Sequence, residues 1–335
     1  MAMMAGLLLF SCVKEETSGD NNTGGGTINT GNYFSVSPNE HVVFSPGNLQ
    51  WSATGGGTTP TTHAVAGGGT AAGTWRFAPN QWDTIGANNT YSSATYTGWI
   101  DLFGWGTSGY HDDEDQYNIH YLPYSTSFED YYNSFNRTGY GPSTIMHDRN
   151  LTGSSAKYDW GVYNAIYNPH TQSIDPPGTW RTLTREEWRH LLKRRTDDDR
   201  LYCAGAYVNG VRGVIIVPDN WNNSTYPLRF KYYNTGRDIV NFNDNDITVS
   251  QWTTLENAGC IFLPAAGSRI GSDYTDSVGY GGYYWTSSNS GDKDAYGLEF
   301  DNAGWNDNVQ ATLILVGDMC GKTCGFSVRL VRDVQ

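Results

Sequence analysis

An α+β fold, strand- and loop-rich with few helices, is what this sequence predicts, and three observations predict it. Glycine reaches 40 of 335 residues and aromatics make up 14 % of the chain, a profile that weakens helices and suits pleated surfaces. Short apolar runs of period two recur between clusters of Gly, Asn, Asp and Ser, most clearly at Tyr296, Leu298, Phe300 and at Phe326, Val328, Leu330. One stretch, Arg185 to Arg194, combines helical spacing with clear start and stop signals.

The chain opens on an apolar run, MAMMAGLLLFSC, too short to span a bilayer. Its end, Leu9-Phe10-Ser11-Cys12, resembles the bacterial lipobox, although the cationic region that ordinarily precedes one is missing. Residues 1–11 then read as a lipoprotein signal peptide and Cys12 as the lipidation site, where more than one acyl chain gives stable anchoring. The competing reading is a buried or unstructured apolar start. Val13-Lys14-Glu15-Glu16 resembles the Lys-acidic-acidic tag that sends Bacteroidetes lipoproteins to the outer face of the outer membrane. Residues 12–32 are otherwise mostly Gly, Ser, Thr and Asn, a flexible tether. The membrane is therefore a partner through the lipid anchor only.

Order is expected from residue 33, and no linker inside 33–335 calls for a domain split. Tyr33–Ser37, Val42–Phe44 and Asn48–Trp51 read as strands, with Pro46-Gly47 as a turn. Residues 52–74 read as a mobile surface loop, and strand pattern resumes at Trp75-Arg76-Phe77. Thr184 and Glu187 form a capping box for the helix, Leu183 can staple onto Trp188, and Trp188, Leu191 and Leu192 share the face that packs. A hairpin follows, with Asn209-Gly210 between Ala206–Val208 and Gly213–Val217, and then an apolar strand from Cys260 to Gly267. Ala311–Val316 is almost continuously apolar, as for a strand covered on both faces.

A formal net charge of −13 argues against nucleic-acid binding, which needs a basic surface. Beyond Cys12 the cysteines are Cys203, Cys260, Cys320 and Cys324, an even number that permits two disulfides or plain buried thiols, without the paired spacing of a zinc site. His111-Asp112-Asp113-Glu114-Asp115 and Asn243-Asp244-Asn245-Asp246 carry oxygen ligands, yet the second lacks the Gly and distal Glu of a calcium loop. A solvated acidic loop and a turn are the simpler readings. The sequence has no metalloprotease, nucleophile-elbow, phosphate-loop or dinucleotide motif. The expectation is a binding protein, not an enzyme, with no catalytic residue and no metal ligand.

Several ordered motifs carry a resemblance. Phe44–Leu49, Asp101–Thr107, Trp180–Thr184, Gly213–Pro218, Leu263–Gly267, Tyr284–Ser288 and Gly325–Arg329 resemble a set of Bacteroidetes surface lipoproteins, the FISUMP-type domains and the variable proteins of diversity-generating retroelements. Both are related to the C-type-lectin fold and more distantly to formylglycine-generating enzymes. The resemblance covers roughly residues 33–335 and implies a C-type-lectin-like fold with a C-terminal ligand-binding region, the variable region of the retroelement group, at about 284–335. In the retroelement group that segment is where adenine-directed mutagenesis alters the protein.

On this reading the ligand-binding residues are Tyr283, Tyr284, Asn289, Ser290, Asp292, Asp294, Tyr296, Gly297, Asp301, Asn302, Trp305, Asn306, Asp307 and Asn308, with Asp318, Cys320, Gly321 and Cys324 as a second group. Tyr283, Tyr284, Tyr296 and Trp305 are the aromatic anchors, while Trp285 and Phe300 belong to the core. The partner implied is an external protein or glycan. No cofactor is implied, although Trp305-Asn306-Asp307 matches the signature of calcium-dependent C-type lectins. Its companion loop is absent upstream. Calcium-dependent sugar binding and a fixed adhesion or structural surface protein are the alternatives.

Overall fold

The structure, a computed structural model, describes residues 32–57, 62–91, 96–110, 149–193, 195, 202–230, 239–270, 274–291, 294–302, 311–322 and 324–334. It is strand-rich with few helices, an α+β arrangement of small sheets. One sheet joins the two ends of the described chain: His41–Phe44 lies between Phe34–Ser35 and Leu330–Val334, and Arg181–Thr182 completes it. A second holds Cys203–Val208 and Val211–Ile216, flanked by Asp246–Ile247 and Ile261–Pro264. A third pairs Leu49–Ser52, Thr74–Phe77, Ile166–Asn168 and Ser173–Asp175. The fourth, in the order Ile239–Asn241, Ala311–Gly321, Asp294–Asn302, Gly282–Asn289, carries the C-terminal segment.

The helix at Arg185–Lys193 forms as its sequence predicts. The Thr184 N–H donates to Glu187 Oε2 at 2.7 Å and the Glu187 N–H donates to Thr184 Oγ1 at 3.2 Å. Trp188, Leu191 and Leu192 are buried beside Leu183 and Val331. The hairpin turn is equally local in origin, because Asn209 and Gly210 have φ of 50° and 78°, the left-handed pair that a two-residue turn between twisted strands requires.

A second helix, Val249–Asn257, is absent from the sequence reading. Thr248 and Gln251 build a full capping box, and Trp252 and Leu255 are its buried face. The expected loop at 52–74 also contains a surface hairpin, Thr62–Ala64 with Thr70–Ala72. Its His63 ring bonds Gly73 O at 2.9 Å and Asn164 Oδ1 at 2.6 Å.

Three apolar clusters stabilise these elements, and two of them grip the C-terminal strands from opposite faces. Tyr284, Leu298 and Phe300 join Trp188, Leu263 and Val331 in one cluster. Trp285 and Ala295 join Trp75, Phe103, Trp160 and Phe326 in the other. Two indole donors lock the second contact: Trp285 Nε1 donates to Phe103 O at 2.6 Å, and Trp105 Nε1 donates to Thr286 O at 2.7 Å. The third cluster, with Ile215, Trp252 and Phe262, packs the second helix. Among the described residues no helix is long and apolar enough to cross a membrane.

Candidate functional site

The C-terminal sheet is built around an antiparallel hairpin in which Tyr283 faces Glu299, Tyr284 faces Leu298, Trp285 faces Gly297 and Asn289 faces Ala295. Alternation along a strand sends neighbouring side chains to opposite faces. Tyr284 turns inward and Tyr283 turns the other way, leaving it half-buried with its ring stacked on Phe326 at 5.3 Å. On the next strand a bulge opens between Gly297 and Leu298, where Gly297 pairs with Asp318 and Leu298 with Val316.

The residues expected to form one face separate into two groups at opposite ends of this hairpin. From Tyr283 to Asn289 the strand advances six residues, roughly 20 Å at about 3.3 Å per residue. At one end Tyr283 donates its hydroxyl to Asp301 Oδ2 at 2.8 Å. Burial is the main reason the Tyr283 phenol is held well above the ordinary tyrosine range, and the Asp301 bond adds to it. At the other end Asn289, Ser290, Asp294, Gly321 and Cys324 are all half-buried. Ser290 N–H donates to Asp294 O at 3.0 Å, Asp294 pairs with Gly321, and Lys322 Nζ donates to Gly291 O at 2.7 Å. Asn289 N–H donates to Asn150 Oδ1 at 2.9 Å, tying this end to a segment far away in sequence. Burial and the nearby Asp294 push the Cys324 thiol up to about 11, so it stays protonated near neutral pH and is a weak nucleophile.

Tyr296 lies between the two groups, half-buried, with the Arg185 guanidinium 4.3 Å from its ring centre. Arg185 is itself placed by the start of the helix, where its N–H donates to Ser288 Oγ at 3.0 Å.

Two expectations are corrected. Tyr284 is 0 % exposed; its hydroxyl donates to Pro264 O at 2.9 Å and accepts from Asn48 Nδ2 at 3.1 Å. It is a core residue, because its position on the strand has the inward parity of Leu298 and Phe300. Gly297 is buried opposite Trp285 and serves the pairing of three strands. Trp285 and Phe300 are core, as expected.

Cys12, the calcium-type residues Trp305, Asn306, Asp307 and Asn308, the acidic run His111–Asp115, and Asp292 lie outside the described residues. Asn302, Asp318 and Cys320 are described as strand positions only. Cys203, Cys260 and Cys324 are free thiols, the first two buried. Asn243–Asp246 is a tight turn, and Asn245 spends its side chain on Gly205 O and on the Arg229 backbone. Among the described residues no three His, Cys, Asp or Glu side chains converge as a metal site.

Sequence reasoning missed two exposed tyrosines that precede Tyr283 in the chain. Tyr280 is 53 % exposed and Tyr274 is 50 % exposed. Arg212 holds Tyr280 in place, its guanidinium 4.8 Å from that ring while Nε donates to Tyr207 Oη at 2.6 Å and Nη1 donates to Gly279 O at 3.3 Å. These residues come from separate elements, so only the Tyr-rich composition hinted at them. The chain matches no family model, no curated protein and no solved structure.

Proposed function

We propose that the chain is a cell-surface ligand-binding lipoprotein and not an enzyme. Lipidated Cys12 anchors it at the outer membrane, and a C-type-lectin-like scaffold displays a C-terminal face, diversified by a retroelement, to an external protein or glycan. The observation that carries this reading is the two-sided grip on the C-terminal hairpin. Tyr284, Leu298 and Phe300 are buried in one cluster and Trp285 and Ala295 in another, while Tyr283, Asn289, Ser290, Asp294, Tyr296 and Asp301 between them remain half-exposed. A frame held this way can exchange its partly exposed residues at a cost well below that of a core substitution, about 1 kcal/mol or less.

Tyr supplies contact area with few rotatable bonds, and Asn, Ser and Asp supply adaptable hydrogen bonds, the chemistry of a preorganised binding surface. Tyr280 and Tyr274 add exposed aromatic area upstream of the C-terminal segment. Formal charge of −13 favours a neutral or cationic ligand.

The flanking DNA tests the proposal. It predicts a near-copy of the coding sequence for residues 284–335, differing at adenines and lying beside a reverse-transcriptase gene. A locus with neither, in a clone whose relatives are invariant at Asn289, Ser290 and Asp294, would reduce the reading to a fixed surface protein.

A further inference from the structure

A cavity of about 370 Å³ opens where the first strands meet the end of the Val249–Asn257 helix, away from the hairpin face. A volume of this size accommodates a small organic group. Phe34, Phe44, Pro46 and Ile261 form its apolar wall, with the two Phe rings edge to face at 5.0 Å. Gln81 and Glu256 form the polar wall.

The orientation of Gln81 follows from its partners. It is 4 % exposed, and its Oε1 accepts from the Phe262 N–H at 2.8 Å and from the Arg329 guanidinium. Two donors on one side fix the oxygen there, so the amide nitrogen must face the other way, where it donates to Glu256 Oε1 at 2.7 Å. Arg329 is 1 % exposed, and burial draws its guanidinium down to about 10 while Glu256 pulls in the opposite direction. A buried cation, an oriented amide and a carboxylate thus stand in line, with Glu256 at the cavity wall. One Glu256 oxygen is committed to Gln81, and the other has no hydrogen bond among the described residues. His170 at the rim already engages Pro79 O at 3.2 Å.

We propose that this cavity binds a primary alkylammonium group, either the end of a lysine side chain on a partner or a free amine. The uncommitted Glu256 oxygen receives the ammonium, and the Phe34, Phe44, Pro46 and Ile261 wall receives the methylene stem. An anionic ligand would meet the carboxylate, with Arg329 shut behind Gln81. None of the cavity's lining residues belongs to the C-terminal hairpin, so its failure and that of the hairpin reading are separate outcomes.

Calorimetric titration of the full chain with pentylammonium, 1-pentanol and pentanoate tests it. Pentylammonium is expected to bind at least about tenfold more tightly than either control, the size of one charge-assisted contact. Glu256→Gln keeps an oxygen for Gln81 but removes the charge, and should bring pentylammonium down to the level of pentanol. Asn257→Trp, an exposed substitution at the mouth, should block all three without lowering the melting temperature. N-acetyl-lysine methylamide binding better than pentylammonium assigns the site to a peptide lysine; the reverse assigns it to free amines. Equal binding of pentanol by the parent protein, stronger binding of pentanoate, no binding at all, or an unaltered Glu256→Gln variant each overturns the proposal, and the parent-protein arms hold even where a variant fails to fold.

Discussion

Tyr283 and Asp301 join adjacent strands of the C-terminal hairpin through a hydroxyl-to-carboxylate bond of 2.8 Å, and both remain half-exposed. Asp301 is part of what keeps the Tyr283 phenol protonated, after burial itself. Asp301→Asn should therefore let Tyr283 ionise at lower pH than in the parent, as followed by NMR of ring-labelled tyrosine. The same variant should change stability by no more than about 1 kcal/mol, because the pair is solvated on one side. An unchanged titration would mean the bond does not persist in solution.

Tyr284, one residue on, should respond differently. Tyr284→Phe strands the Asn48 amide N–H inside the core and leaves Pro264 O with the Ala266 N–H as its donor, a loss of about 1–3 kcal/mol. Tyr296→Phe keeps its ring beneath Arg185 and should fall within about 0.5 kcal/mol of the parent. Urea unfolding of the two variants side by side measures the contrast between core and display positions.

Gly282 opens the hairpin with no room for a side chain, since a Cβ there would lie 2.1 Å from the Phe300 ring. Phe300 is 1 % exposed and packed against Tyr284, so it cannot swing aside. Gly282→Ala should cost on the order of 1–3 kcal/mol, the range for overpacked cores, and lower the thermal midpoint.

Asp101 makes the pH dependence specific. Burial raises its carboxyl to about 6, against the opposing bonds from Asn89 and the Ile85 N–H. Below about pH 4 the group is protonated in both folded and unfolded chains, and its favourable contribution is fully present. As pH rises through about 6 the folded state must hold a buried anion, and that contribution is lost, to the extent of roughly 3 kcal/mol for a shift of about two units. Asp101→Asn should be less stable overall, since its amide meets the donors of Asn89 and Ile85, but should remove its share of this slope and leave that of Asp159, whose buried carboxyl is likewise raised to about 6. Denaturant midpoints from pH 4 to 8 check both statements.

Local signals were legible in the sequence. The Thr184/Glu187 box, the Asn209-Gly210 turn and the apolar period of Leu298 and Phe300 each act within a few residues, and each forms as read. Thr248 and Gln251 offered the same signal for the second helix, but its sequence, VSQWTTLEN, has a weaker apolar stripe and β-branched residues that hide the period. Placement across the fold was not legible. Ser327 and Arg329 alternate with apolar residues as a solvent-facing row would, yet both are buried, because Arg329 finds Gln81 and Asn48 from segments far upstream. Tyr284 and Tyr283 are indistinguishable by type, and only register decides which faces out. The Glu256 cavity draws on five separated segments, so no motif could mark it.

The central claim is that the hairpin is a stiff frame whose surface positions are exchangeable for binding, and a display library tests it most directly. Randomising Tyr283, Asn289, Ser290, Asp294, Tyr296 and Asp301 together should leave most clones folded and yield binders to an arbitrary soluble protein whose affinity is lost when those positions revert to alanine. A library that is largely unfolded, or folded but without a single selectable binder, contradicts the account.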